Sequence, residues 1–152
     1  MDCSKISRKY QIIISDFKII SEIKRGGFGI VYLVENIKTN ERYAAKVNLI
    51  DNGESTVNRK LFVSREVQIL MRIQHPTVIQ FQGFSFTDFN NNENITIFMN
   101  YMQNGSLADL INKGQHGLLP HNFDNTQKQI ILAGIARGMM ALHNSHIIHR
   151  DL

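Results

Sequence analysis

Ile147-Ile148-His149-Arg150-Asp151-Leu152 closes the 152-residue sequence, and the rest can be read outward from it. Taken alone, the run is two isoleucines followed by an imidazole, a guanidinium and a carboxylate. On that footing Asp151 is a hydrated group near a chain end. Upstream lies a long helix, opened by Asp124 or Thr126, with the stripe Ile131, Ile135, Met139 and Leu142 at helical spacing. The stretch 114–125, with Pro120, reads as a loop, and Ser106 is placed to cap a short helix over 107–112. The character of the chain changes at Asn104-Gly105, so the domain boundary is expected near 103–105.

Further upstream the pattern is that of strands. Ile19 and Ile23 fall on one face of an alternating run, and Val31 and Leu33 repeat that spacing after a glycine-rich break. A third short run, 43–49, is entered through the turn-like Lys38-Thr39-Asn40-Glu41. The polar stretch 51–58 with Gly53 reads as a loop. Phe62, Glu66, Ile69, Leu70 and Ile73 then recur at helical spacing, and this helix should stop before His75-Pro76. Two more strands are expected over 78–86 and 94–101, joined by the asparagine-rich hairpin loop 88–94. Five strands with one helix inserted, then helices, make an α+β lobe followed by the start of a helical one.

Three features upstream carry chemistry. Gly26-Gly27-Phe28-Gly29 sits between two strands, where glycines let backbone amides approach phosphate oxygens. The same residues also suit a plain tight hairpin. In Tyr43-Ala44-Ala45-Lys46-Val47, Ala44 and Lys46 share one face of a strand. Small residues beside a cation make room for a flat ligand with an anionic tail; a lysine reaching from a sheet edge to water is the other reading. Glu66 lies in the stripe of Phe62, Ile69 and Ile73. A carboxylate there is costly unless a cation meets it, and Lys46 is the natural candidate, unless Glu66 stands at the margin and faces solvent.

The closing run resembles the start of the catalytic loop of eukaryotic protein kinases, and the other features follow in that family's order. Gly26-Gly27-Phe28-Gly29-Ile30-Val31 resembles its glycine-rich loop, Ala44-Ala45-Lys46 its strand lysine, and Arg65-Glu66 the helix that bears the lysine's partner. His75-Pro76 follows that helix as it often does in the family. Tyr101-Met102-Gln103-Asn104-Gly105-Ser106-Leu107 resembles the hinge of the tyrosine-kinase-like group, many of whose members phosphorylate serine and threonine. The resemblance implies an N-terminal extension over 1–15, a small lobe over 16–102 with a five-stranded antiparallel sheet and one helix, and the start of a helical large lobe over 103–152.

It also implies a mechanism. ATP would lie between the lobes, with Ile23, Val31 and Ala44 around the adenine and the backbone at Asn100 and Met102 along its edge. Met99 would be the gatekeeper, and Gly26, Gly27, Phe28 and Gly29 would cover the phosphates. Lys46, held by Glu66, would grip the α- and β-phosphates. Asp109 is a candidate for the ribose. Asp151 would take or orient the proton of a protein hydroxyl, with His149 and Arg150 structural or regulatory. One departure stands out: the first glycine of the family's loop is Lys24 here, and its ammonium is expected to point to water.

The family binds Mg2+ through an asparagine shortly after the catalytic aspartate and through a later Asp-Phe-Gly, neither of which these 152 residues contain. No metal ligands are therefore assigned. These residues alone are expected to be inactive, and the long helix to leave an apolar face uncovered. Two other readings stay open: a catalytically dead nucleotide-binding or regulatory module, and an α+β domain with chance motif matches.

Composition narrows the class without choosing the fold. A 43% hydrophobic and 20% charged chain is globular, neither disordered nor a disulfide scaffold. The net charge of +4 is spread among 13 acids, which favours a solvated surface over a nucleic-acid patch. Cys3 is the single cysteine, Met1-Asp2-Cys3-Ser4-Lys5 does not open a signal peptide, and Asp2 excludes myristoylation. The longest apolar stretch, 130–142, is interrupted by Arg137 and too short for a bilayer. The partners expected are ATP and a protein substrate, with no nucleic acid and no membrane, in the cytoplasm or nucleus.

Overall fold

Five strands are hydrogen-bonded into one antiparallel sheet in the order β1-β2-β3-β5-β4. They are Phe17–Gly26 (β1), Gly29–Asn36 (β2), Arg42–Val47 (β3), Phe81–Ser85 (β4) and Thr96–Asn100 (β5). The computed structural model describes residues 8–27, 29–49, 65–118 and 123–149. Between β3 and β4, residues 65–72 are helical (α1). The helices Leu107–Gln115 (α2) and Asn125–Asn144 (α3) follow β5. The expected helix start at Phe62, the loop 51–58 and Pro120 lie outside the described residues.

The central strands are apolar on both faces because both faces are covered. On one, Val67 of α1 packs with Phe84, Ile95 and Ile97, joined by Leu70, Met71, Phe81 and Met99. On the other, Val34, Ala45 and Phe98 are sealed by Ile12, Ile14, Phe17 and Phe89. Phe89 comes from the β4–β5 loop, and its ring meets Phe98 at 6.4 Å and Tyr32 at 6.1 Å.

Several expected positions shift. The alternation of Ile19 and Ile23 fails because β1 changes register twice, between Ile19 and Ser21 and between Glu22 and Lys24. Ile23 falls inside the second irregularity, and Ile19 and Ile23 are both exposed. In α1 the inward residue is Val67, 1% exposed, while Ile69 of the expected stripe faces out at 40%. Ile73 is buried but follows the helix, which ends ahead of His75-Pro76. Strands β4 and β5 are shorter than 78–86 and 94–101. A turn with Val78 N–H donating to the His75 carbonyl precedes β4, and side-chain-anchored turns at Ser85 and Asp88 end it.

Contacts divide the chain into two compact units, residues 1–74 with 79–101, and residues 75–78 with 102–152. In the second, Gly138 of α3 lies so close to Thr77 that a Cβ would stand 3.1 Å from its Oγ1 and 3.2 Å from its carbonyl oxygen. Both helix starts are capped as local chemistry directs. Ser106 and Asp109 form a reciprocal capping box on α2, and Asp124 accepts from the Gln127 N–H on α3. Helix α2 runs on to Gln115, past the expected end at 112. The apolar side chains that α3 leaves most exposed are Ile130, Leu132 and Met140, not the expected stripe. Ile131, Ile135 and Met139 are half-buried and Leu142 is buried, since this helix carries apolar residues around much of its girth.

The β4–β5 loop is organised by buried Asp88. Its Oδ1 accepts from the backbone N–H of Asn90 and of Asn92, both at 2.9 Å, and its Oδ2 from the side-chain amides of Asn92 and Asn94 at 3.0 and 2.7 Å. Burial pushes this carboxyl up, but the four hydrogen bonds outweigh it and hold its pKa below the ordinary aspartate value. A carboxyl depressed in the folded state stabilises above its unfolded pKa and loses that contribution as pH falls through the folded one. Asp88→Asn should therefore cost about 1–3 kcal/mol at neutral pH. In urea titrations at successive pH values, the gap to the parent chain should close below about pH 4.

Candidate functional site

Strand β3 lies at the middle of the sheet and carries Lys46 on the face that α1 covers. Reading across the register, Lys24, Val31, Lys46, Ile97 and Phe84 form one row spanning all five strands. The lysine is thus flanked by Val31 and Ile97, neither of which can satisfy an ammonium. Its partner comes from α1: Lys46 Nζ lies 2.7 Å from Glu66 Oε1, with side-chain exposures of 28% and 30%. At that depth the pair is partly desolvated, so removing either member leaves the other without compensation.

Two residues before Lys46, Ala44 is buried between Leu33 on β2 and Met99 on β5. Met99 packs on the Val67–Phe84–Ile95–Ile97 cluster, so the sheet face beside Ala44 is backed by core. Val31 stands directly opposite Lys46. Ile23 is exposed in its bulge and belongs to no ordered row with them.

The β1–β2 hairpin closes with Gly26 paired to Gly29. Its glycines differ in what they allow. Gly29 has a φ of +146°, and a Cβ there would run into the Val47 carbonyl of β3, so this glycine is needed inside the chain itself. A Cβ on Gly26 or Gly27 would meet nothing within 4 Å among the described residues. Packing of the described residues does not require glycine at those two positions, and among those residues the space over their backbone is open. Phe28 lies outside the described residues.

Asn100 is committed on two sides: its N–H donates to the Gln80 carbonyl at 3.1 Å, and its side-chain oxygen accepts from Gln82 Nε2. Met102 belongs to the second unit and is exposed. The carboxylate of Asp109 accepts from the N–H of Ser106 at 3.0 Å and from its hydroxyl at 2.6 Å. His149 is exposed, while Arg150 and Asp151 lie outside the described residues. Among the described residues no group of three or more His, Cys, Asp or Glu side chains can hold a metal ion. No helix among the described residues is long and apolar enough to cross a membrane.

Two participants had no usable sequence signal. Leu33 stands beside Ala44 only through strand register, and Val67 seats the Glu66 helix although it lies off the anticipated stripe. Lys24 is a departure visible in the sequence, but its place in the row of Lys46 also depends on register.

A cation on a central strand, answered by a helix carboxylate beside an open glycine turn, is found here within a longer match. The protein kinase domain family matches residues 17–152. The chain belongs to that family. Among curated kinases, it is 32% identical over 133 residues to MAP kinase kinase kinase wis4 of Schizosaccharomyces pombe, covering 86% of this chain and 9% of that protein. It is 30% identical over 139 residues to cyclin-dependent kinase 10 of Rattus norvegicus, covering 91% and 36%. Against serine/threonine-protein kinase 1 of Arabidopsis thaliana the identity is 27% over 136 residues, covering 90% and 15%. The chain thus spans between about a tenth and about a third of the length of these relatives.

Within this kinase sheet the two kinds of glycine should separate experimentally. Gly29→Ala must shift β3 or strain the turn, and should lower stability by about 1–3 kcal/mol. Gly27→Ala should stay within about 0.5 kcal/mol of the parent. Thermal unfolding of both variants, followed by circular dichroism, checks the contrast.

Proposed function

We propose that this chain supplies the ATP-binding portion of a protein kinase that transfers the γ-phosphoryl group of ATP to serine or threonine hydroxyls. The observation that carries the reading is the Lys46–Glu66 ion pair at 2.7 Å beside the open backbone of Gly26 and Gly27. An ammonium fixed by a carboxylate keeps its charge and its direction, and so presents a point charge to the α- and β-phosphates. The glycine turn adds backbone amides without side chains in the way. Ile23, Val31 and Ala44 give apolar surface for the adenine, Met99 limits its rear, and the chain at Asn100 and Met102 reads its edge, with the Asn100 carbonyl as acceptor. Phe28 would complete the cover over the phosphates.

Asp151 would orient the attacking hydroxyl and receive its proton. Magnesium, when bound, would supply neutralisation of the phosphate charge. The serine/threonine preference rests on the likeness of the run from Tyr101 to Leu107 to the tyrosine-kinase-like group, and on relatives named as serine/threonine-protein kinases.

Displacement of a fluorescent ATP analogue tests the binding half. Lys46→Met removes a charge-assisted contact and should weaken affinity by roughly tenfold to a hundredfold, about 1.5–3 kcal/mol. Affinity unchanged by that substitution overturns the assignment. The 152 residues expressed by themselves should bind nucleotide without turnover; phosphate transfer from radiolabelled ATP that disappears in Lys46→Met would contradict this.

A further inference from the structure

The family match begins at residue 17, yet Tyr10, Ile12 and Ile14 ahead of it pack on the sheet, and one isolated bridge joins Gln11 to its edge. A short 3-10 turn, Arg8–Tyr10, leads into a parallel bridge between Gln11 and Phe84 on the edge strand β4, and the Ile12 N–H donates to the Phe84 carbonyl at 2.8 Å. The approach is close because β4 has a glycine at this point. A Cβ on Gly83, whose φ is +157°, would stand 2.6 Å from the Tyr10 carbonyl oxygen and 2.7 Å from the Ile12 side chain. The segment then crosses the edge of the sheet. Tyr10 joins the core cluster on the α1 face, whereas Ile12 and Ile14 join the cluster on the other face.

Tyr10 reaches the part of α1 that matters for the ion pair. Its ring lies 5.6 Å from that of Phe81, and it lines a cavity of about 20 Å³ with Leu70, Met71 and Ile73 among the other walls. Leu70 follows Glu66 by one helical turn and stands on the same side of the helix. The ion pair, with both side chains more than a quarter exposed, is too weak to hold a helix in place by itself. Apolar packing of Val67, Leu70 and Met71 sets where α1 sits, and Tyr10 is a wall of that packing supplied from outside the matched domain.

We propose that residues 8–12 are a strap across the β4 edge, and that its Tyr10 is a positioning residue which, by bracing α1, holds Glu66 against Lys46. Its consequence for nucleotide rests on the function proposed above; its consequence for α1 does not. The ring is the acting part, so Tyr10→Phe should behave as the parent and Tyr10→Ala should not.

The test uses the full chain with two readouts, hydrogen exchange of the 65–72 amides and displacement of a fluorescent ATP analogue. Tyr10→Ala should speed exchange across 65–72 about tenfold or more, leaving the β2 and β3 amides at their parent rates. It should also weaken nucleotide binding about threefold to tenfold. Gly83→Ala, which keeps the ring but displaces the strap, should reproduce both effects, and Ile13→Ala, at an exposed position of the same segment, should reproduce neither. In a Glu66→Gln background, Tyr10→Ala should weaken binding no further, because the group it positions is already lost. Unchanged α1 exchange, equal acceleration throughout the sheet, or a binding loss additive with Glu66→Gln would each overturn the strap. A parent chain that fails to bind the analogue would instead count against the nucleotide reading, and α1 exchange alone would then decide the strap.

Discussion

An ammonium on a strand and a carboxylate on a helix, 2.7 Å apart, make a demand that most of this fold is arranged to meet. Lys46 is flanked in its cross-strand row by Val31 and Ile97, so its charge has no partner within the sheet. Glu66 has to be brought from a separate element, and that element must lie on the matching face at the right height. The pair is too exposed to enforce this geometry alone. It works as a lock on a helix that apolar contacts have already seated, chiefly through Val67 at 1% exposure.

Seating that helix requires a sheet that does not yield. The central strands achieve this by being covered on both faces, one by α1 and the other by Ile12, Ile14, Phe17 and Phe89. Phe89 can serve because buried Asp88 gathers four hydrogen bonds and fixes the loop that carries it. At the opposite margin, Glu35 joins β1 to β3 by receiving Lys18 at 2.7 Å and Arg42 at 3.4 Å. Its carboxyl is held below the ordinary glutamate range, first by the Lys18 hydrogen bond and, despite some desolvation, further by Arg42. These ion pairs tie the three strands together at the end of the sheet away from the glycine hairpin.

Much of the site could be read before any coordinates because its signals are local or strictly periodic. Ala44 and Lys46 share a face by the two-residue repeat of a strand, and the caps at Ser106 and Asp124 are made by side chains within three residues of their targets. The alternation through Ile19 and Ile23 and the inward place of Ile69 fail for different reasons. A register irregularity in β1 interrupts the alternation that put Ile23 on a face, whereas α1 turns Val67 inward because the core it meets lies on that side. Gly29 and Gly83 look alike in sequence to Gly26 and Gly27. Only the backbone that passes over them, from Val47 and from Tyr10, separates glycines needed for packing from glycines that leave open space.

The amino-acid sequence by itself determined the order of elements, the α+β class, the helix caps and the residue types available for phosphate chemistry, since each depends on neighbours a few positions away. Tertiary structure settled that Lys46 meets Glu66, a pairing the residues suggested but left open, and it alone decided that Lys24 shares its row and that residues 8–12 belong to the β4 edge. Those relations join segments far apart in the chain. They follow from strand register and from which face a helix covers, and these are settled only when the sheet closes on its core.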